Sequence, residues 1–333
     1  MKKIALAAAL TAAFAGSAFA QSSVTLYGRI NTTVEFQDNE TTDRTVMNNN
    51  ASRWGLRGNE DLGGGLSAFF QLENGFGSDT GAGAGGFNRD AFVGIKSASL
   101  GQLKFGRIGL GALYASTIDY IGVFNHNTGT TSEDNLYSLN IGFQNAVEYT
   151  SPNFGPVSFA VTANASEGTG NKTYEGVVNF DQGSLHIGAG VSKTENQFKQ
   201  DVIEGASAAI AYGFGPVLLG LNYEYSDASA AFTGGTALGK RNQVTFTGMY
   251  TLGANEFHLS AGWADEWDNA PNSDAIQWTL GYNYNLSKRT KLYAFYYSIE
   301  NKSGTPAAVV YGPSFAVPGD TLSVFGAGIR HNF

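Results

Sequence analysis

The chain has no cysteine, only 7 prolines in 333 residues, and charged side chains make up just 14% of it. Without cysteine there is no disulfide framework, no thiolate zinc site and no cysteine nucleophile. Beyond residue 20 the sequence has no uninterrupted apolar run of about 18 residues, so it offers no membrane-spanning helix. The formal charge of −8 sets the chain against general binding to nucleic acid phosphate. What is abundant is glycine, at 44 residues, together with 16 tyrosines and 23 phenylalanines. Strand-formers and turn-formers without Leu, Glu and Lys clusters read as all-β.

Residues 1–20 read as a removable leader. Met1, Lys2 and Lys3 precede an apolar stretch, Ile4 to Phe14, and Ala18-Phe19-Ala20 forms a small-residue cleavage site before Gln21. Cleavage would leave 21–333 as one domain, at a charge of −10 because both lost charges are lysines.

Two-residue alternation runs through that domain. Val24, Leu26, Ile30, Val34 and Phe36 share one parity, and Thr25, Tyr27, Arg29, Asn31, Thr33 and Glu35 share the other. Side chains of a strand point alternately to opposite faces, so this segment has one apolar and one wet face. The same pattern recurs at 66–73, 157–164, 185–192, 217–226, 257–264, 276–285 and 324–333. The apolar stretch 205–221 is no helix, because Gly213, Gly215 and Pro216 interrupt it.

A soluble sandwich and a membrane barrel both alternate in this way. The barrel is favoured because the segments reach the roughly 9–11 residues that a tilted crossing needs. Aromatic residues also gather near segment ends (Tyr223, Tyr225, Trp263, Trp278, Tyr282, Tyr284, Phe333), and the second face is small and polar. Short turns are predicted at 60–65, 99–101, 153–156, 181–183, 214–216, 252–255 and 285–290. Seven hairpins plus terminal strands at 24–36 and 322–333 predict an antiparallel transmembrane β-barrel of about 16 strands. One interval is too long, and its extra segment, 110–144, alternates weakly. A sixteen-strand barrel holds water and has room for such a segment inside.

The whole mature chain resembles the trimeric general porins of Gram-negative outer membranes, in particular the β-proteobacterial group. The matching words are Ser23-Val24-Thr25-Leu26-Tyr27-Gly28, Ser52-Arg53-Trp54-Gly55-Leu56-Arg57-Gly58, Glu60-Asp61-Leu62-Gly63 and Gln71-Leu72-Glu73. Phe105-Gly106-Arg107, Val147-Glu148-Tyr149, Ser151-Pro152 and the ending Gly328-Ile329-Arg330-His331-Asn332-Phe333 complete the set. The resemblance implies a homotrimer, a third extracellular loop folded into the channel, and Phe333 as a C-terminal signal read by the barrel-assembly machinery. The group often has Arg within the Val-x-Tyr word, where this chain has Glu148.

The candidate site is the wet-parity basic set: Arg29, Arg53, Arg57, Arg89, Lys104 and Arg107. Arginine stays charged and is weakly hydrated, which suits a narrow passage. Asp119, Glu133 and Asp134 in the inner segment form the expected opposite pole, and the pair would sort solutes by charge. The bland reading ties some of these arginines into ion pairs with Glu35, Glu73 or Glu148 that only support the wall. His126, His186, His258 and His331 show no ligand or catalytic spacing, so no metal and no cofactor is expected. There is no nucleophile-elbow pattern, and Gly81 to Gly86 lacks the Lys-Ser/Thr of a phosphate cradle. Loop aspartates Asp38, Asp43 and Asp79 are read as solvated charge.

The expected function is passive diffusion of small hydrophilic solutes and ions through the outer membrane, with a weak lean toward anions. The expected partners are outer-membrane lipid and lipopolysaccharide, copies of the same chain, and the assembly machinery. The rival reading is a substrate-specific channel for a sugar or organic anion, since Tyr27, Phe69, Phe92, Tyr293, Phe295 and Tyr297 fall on the wet face. A barrel enzyme has little support, and a plugged 22-strand transporter needs a longer chain.

Overall fold

In the computed structural model one antiparallel sheet takes up nearly every alternating segment. The structure describes residues 23–333 except 84, 124–131, 166, 168, 169 and 234. The leader, its cleavage site and His126 lie outside the described residues. The strands are β1 (Ser23–Asp38), β2 (Asp43–Asn49), β3 (Arg53–Gly63), β4 (Leu66–Gly75), β5 (Ala91–Ser97) and β6 (Gly101–Ile108). Next come β7 (Phe143–Thr150), β8 (Val157–Asn164), β9 (Lys172–Gln182), β10 (Leu185–Glu195), β11 (Asp201–Phe214) and β12 (Val217–Ala228). The last are β13 (Gly239–Leu252), β14 (Asn255–Ala264), β15 (Ala275–Asn285), β16 (Thr290–Asn301) and β17 (Thr321–Asn332).

Neighbours in sequence pair along the sheet, and β17 returns to β1, from Arg29↔Asn332 to Asp38↔Ser323, closing the ring. β2 and β3 share one place beside β1, pairing with its 32–38 and 23–29 stretches respectively. Seventeen segments therefore make the sixteen wall positions expected from the turns. The break between β2 and β3 centres on Ala51, whose φ of 55° is unusual for a residue with a Cβ. Asn31 spans it, accepting from the Asn50 N–H at 2.9 Å and donating its own N–H to the Ser52 hydroxyl at 2.9 Å. A bulge of this kind interrupts pairing without opening the sheet.

All seven predicted turns are observed as short connections, and they gather at one end of the ring. The repeated Phe-Gly-Pro-Val words make two of them. Gly155 and Gly215 take φ of 65° and 56° there, and Phe154↔Val157 and Phe214↔Val217 close each turn. The longer connections lie at the other end, the extracellular one in barrels of this kind.

Burial is inverted relative to a soluble protein. Val24, Leu26 and Phe36 are 57–64% exposed, while Asn31, Glu35, Asn222, Glu224 and Thr245 are fully buried. The apolar parity thus faces outward, where only acyl chains match it, and the wet parity faces inward. Ring closure leaves the sheet no free end, since β17 returns to β1, the condition for placing β-structure in lipid. Outward-facing aromatics near the turn end pair across strands, as in Phe257 with Tyr282 at 5.4 Å, and Trp278 meets Tyr296 at 5.1 Å.

Candidate functional site

The seam of the ring concentrates positive charge. Register puts Arg29 opposite Arg53 on β3 and Asn332 on β17, and puts Arg330 opposite Asn31 on β1 and Lys291 on β16. Arg29 donates its Nε–H to Asn332 Oδ1 at 3.1 Å. Arg29, Arg53, Arg330, Arg89 and Lys291 repel one another within this patch. Glu73, buried on β4, is the acid among them. It lies 3.6 Å from Arg53, is bonded by Arg89, and accepts from the Tyr27 hydroxyl at 2.9 Å. Glu256 balances Lys291 at 3.2 Å while accepting from Asn283 and Asn285.

The segment between β6 and β7 packs on inward-facing side chains of the opposite wall. Its short helix, Ala112–Ser116, lies against β8, β9 and β10, and the Leu113 N–H donates to Glu175 Oε1 at 2.8 Å. His186 on β10 lies 2.9 Å from the Ser116 carbonyl and 2.7 Å from Asp181, with the Tyr120 ring stacked on it at 3.4 Å. Thr247 donates to the Ile121 carbonyl at 2.6 Å, Gln277 to that of Glu133 at 3.1 Å, and Asn135 to the Tyr297 hydroxyl at 2.9 Å. Arg241 donates to the Leu136 carbonyl and to the Ser138 hydroxyl, and stacks between Trp267 and Tyr311, 4.8 Å from each ring. The segment is fastened from β9 round to β16.

Those fastenings split the expected acidic pole. Asp119 is half-buried and electrostatically coupled to Arg53. Glu133 is 1% exposed, and burial, with Asp134 and Asp119 nearby, pushes its carboxyl well above the usual range. Its side chain is set into the packing of the segment, not on the open passage where the expected pole would lie. Asp134 is held by the hydroxyls of Tyr114 and Ser132. The structure leaves Asp119 as the acid of that set that senses the seam.

The remaining candidates scatter along the wall. Lys104 is paired with Glu148 at 2.7 Å, and Glu148 is buried. Arg107 donates to the Asn88 carbonyl at 2.9 Å. Arg57 sits nearer the turn end, 5.1 Å from the Tyr27 ring. Glu35 takes Thr33, Gln37 and Asn48 as donors. At the seam, Phe333 exchanges backbone hydrogen bonds with Gly28 at 3.0 and 3.1 Å.

Sequence reasoning missed Lys291, Arg330 and Arg241. Alternation had already put Arg330 on the wet parity, so pairing the terminal strands in a closed ring would have set it beside Arg29. Nothing in the alternation marks Arg241, whose role comes from three connections folding over it. Among the described residues no group of three or more His, Asp or Glu could hold a metal ion.

Comparison with known proteins agrees with this architecture. The family model described as Gram-negative porin matches residues 5–304. An outer membrane porin protein of Bordetella pertussis is 30% identical over 403 aligned residues, spanning 100% of both chains. Outer membrane porin protein 32 of Delftia acidovorans is 31% identical over 376 residues, again spanning 100% of both. Among solved structures, an anion-selective porin from Comamonas acidovorans covers 94% of this chain and is itself covered completely, with a TM-score of 0.71 at 24% identity.

Proposed function

Because the chain belongs to the Gram-negative porin family and is an outer-membrane channel rather than an enzyme, we propose that it passes small hydrophilic solutes and ions by passive diffusion, with a preference for anions. One observation carries the anion preference: Lys291, Arg330, Arg29, Arg53 and Arg89 gather on one stretch of inner wall, with Glu73 and Glu256 as the acids among them. Asp119 reaches toward that stretch from the segment 109–142, so ions pass across a field directed from wall to segment. The same segment narrows the passage and sets the size limit. The transport mechanism has no chemical step.

Reversal potentials in planar bilayers under a KCl gradient test the charge preference, with salts of larger ions reporting the width. The expected sign is anion-selective. The preference should grow as salt falls, because screening reaches only about 10 Å at 0.1 M. Cation selectivity that strengthens at low salt would overturn it.

The working unit is read as a homotrimer. Strands β5, β6, β7 and β8 are 7 or 8 residues long, short of the roughly 9–11 that a crossing needs. Neighbouring copies would screen that low wall from lipid. Residues 1–20 act as the export leader, Phe333 as the assembly signal, and the outer rim meets lipopolysaccharide. Native mass spectrometry in detergent measures the copy number, and a monomer that still conducts would remove the trimer.

A further inference from the structure

Toward the turn end of the inner wall lies a hollow of about 250 Å³ whose walls include Arg57, Phe69, Gln71 and Phe92. Register makes it one surface: Arg57 stands opposite Gln71, Gln71 opposite Phe92, and Phe69 opposite Gly94. Phe69 and Phe92 meet edge to face at 6.0 Å. Glycines on the next strand let the rings fold down onto the wall. A Cβ on Gly94 would meet the Phe69 ring at 2.6 Å, and one on Gly55 would meet the Tyr27 ring at 2.7 Å. These aromatic residues are half-buried, so they floor the hollow without filling it.

The charges around this floor are unequal in their commitments. Lys104 packs 5.3 Å from the Phe92 ring but is neutralised by Glu148. Asp90 spends its two oxygens on the Gln71 amide at 2.7 Å and the Gly109 N–H at 2.8 Å. Arg57 is exposed and, among the described residues, has no acidic partner. A planar guanidinium with free donors beside an aromatic floor matches a carboxylate attached to a flat ring. Ser23, Thr25 and Asn59 also line the hollow and could meet hydroxyls, so it is the charge of Arg57 that favours a carboxylate over a neutral sugar. Arg57 is the cation that lines the hollow, so the match is to a single carboxylate.

We infer that this hollow is a binding subsite for planar aromatic monocarboxylates of the benzoate class. In it, Arg57 takes the carboxylate and the Phe69–Phe92 pair takes the ring. The inference rests on the channel reading and names a solute class for it.

The test is titration of benzoate, cyclohexanecarboxylate and acetate into the turn-side chamber of a bilayer holding the full-length channel in KCl. Benzoate should reduce the current saturably. Its half-blocking concentration should lie roughly 3–10-fold below that of cyclohexanecarboxylate, the worth of one aromatic contact. Acetate should be weaker than both. R57Q should raise the benzoate value about tenfold or more, the loss of a charge-assisted pair, and R57K should fall between. F69L should bring benzoate and cyclohexanecarboxylate together. Each variant's own KCl conductance reports that it folded. Equal blocking by the two ring acids, or undiminished blocking of R57Q, would overturn the subsite alone. A protein with no KCl conductance would overturn the channel reading and the subsite with it.

Discussion

Arg241 and Glu224 face each other at 3.8 Å on neighbouring strands, and water reaches neither side chain. The same guanidinium bonds Leu136 and Ser138, and Glu224 Oε1 accepts from the Ser138 N–H at 3.1 Å. Leaving one charge of a buried pair alone costs about 3–5 kcal/mol, whereas replacing both with neutral groups of similar volume costs far less. R241A should therefore lower the urea midpoint of the folded barrel and make single-channel current noisier, because the segment loses its clasp. R241M combined with E224Q should recover most of the stability but not the quiet current. A single variant as stable as the parent would remove the clasp.

Glu73 tempers the positive seam. E73Q takes away the acid that Arg53, Arg89 and Tyr27 share, so it should raise anion preference, while R53A and R29A should lower it. The shifts should be largest at low salt, where screening is weakest. Reversal potentials measured at about 0.1 and 1 M KCl decide the matter, and opposite signs for E73Q and R53A are the expected result.

Glu133 makes the inner segment sensitive to alkali. Its folded-state pKa lies above the unfolded value, so its stabilising contribution is full below the usual carboxylate range and is lost as pH rises through the folded value. Each unit between the two values corresponds to about 1.4 kcal/mol. Current noise should increase on going from mildly acidic to alkaline solution, and E133Q, neutral at every pH, should flatten that dependence. A parent channel equally quiet across the range would contradict it.

Gly28 holds the place of the last residue. A Cβ there would meet the Phe333 ring at 2.3 Å and the Arg53 carbonyl at 2.7 Å. G28A should displace the ring, at about 1–3 kcal/mol for an overpacked contact. F333A removes the ring itself. If Phe333 is also a signal, F333A should cut assembly in cells more than refolding into liposomes, while G28A lowers both alike. Equal losses for F333A in the two assays would reduce its role to packing.

Much of the wall was legible in the sequence because strand parity and turn chemistry are local properties. Val24 to Phe36 declared its two faces, and Phe-Gly-Pro-Val declared its turn twice. The bulge at Ala51 was not legible, since nothing about alanine announces a left-handed backbone. The site was half legible. Arg29 and Arg53 could be put on the inner face, but Arg29 bonds Asn332, 303 positions away, and only ring closure brings them together. The burial of Glu133 was hidden for a related reason. A carboxylate in a polar, Thr- and Asn-rich stretch reads as solvated until the opposite wall is seen to cover it.

The seam between β1 and β17 ties the beginning of the wall to its end. A chain stopped a dozen residues early would carry a raw strand edge on each flank, with amides and carbonyls that neither acyl chains nor water in the bilayer can satisfy. Incomplete synthesis therefore yields no smaller pore and no leaky intermediate that persists in the bilayer. It yields a sticky polypeptide, fit only for a chaperone or a protease.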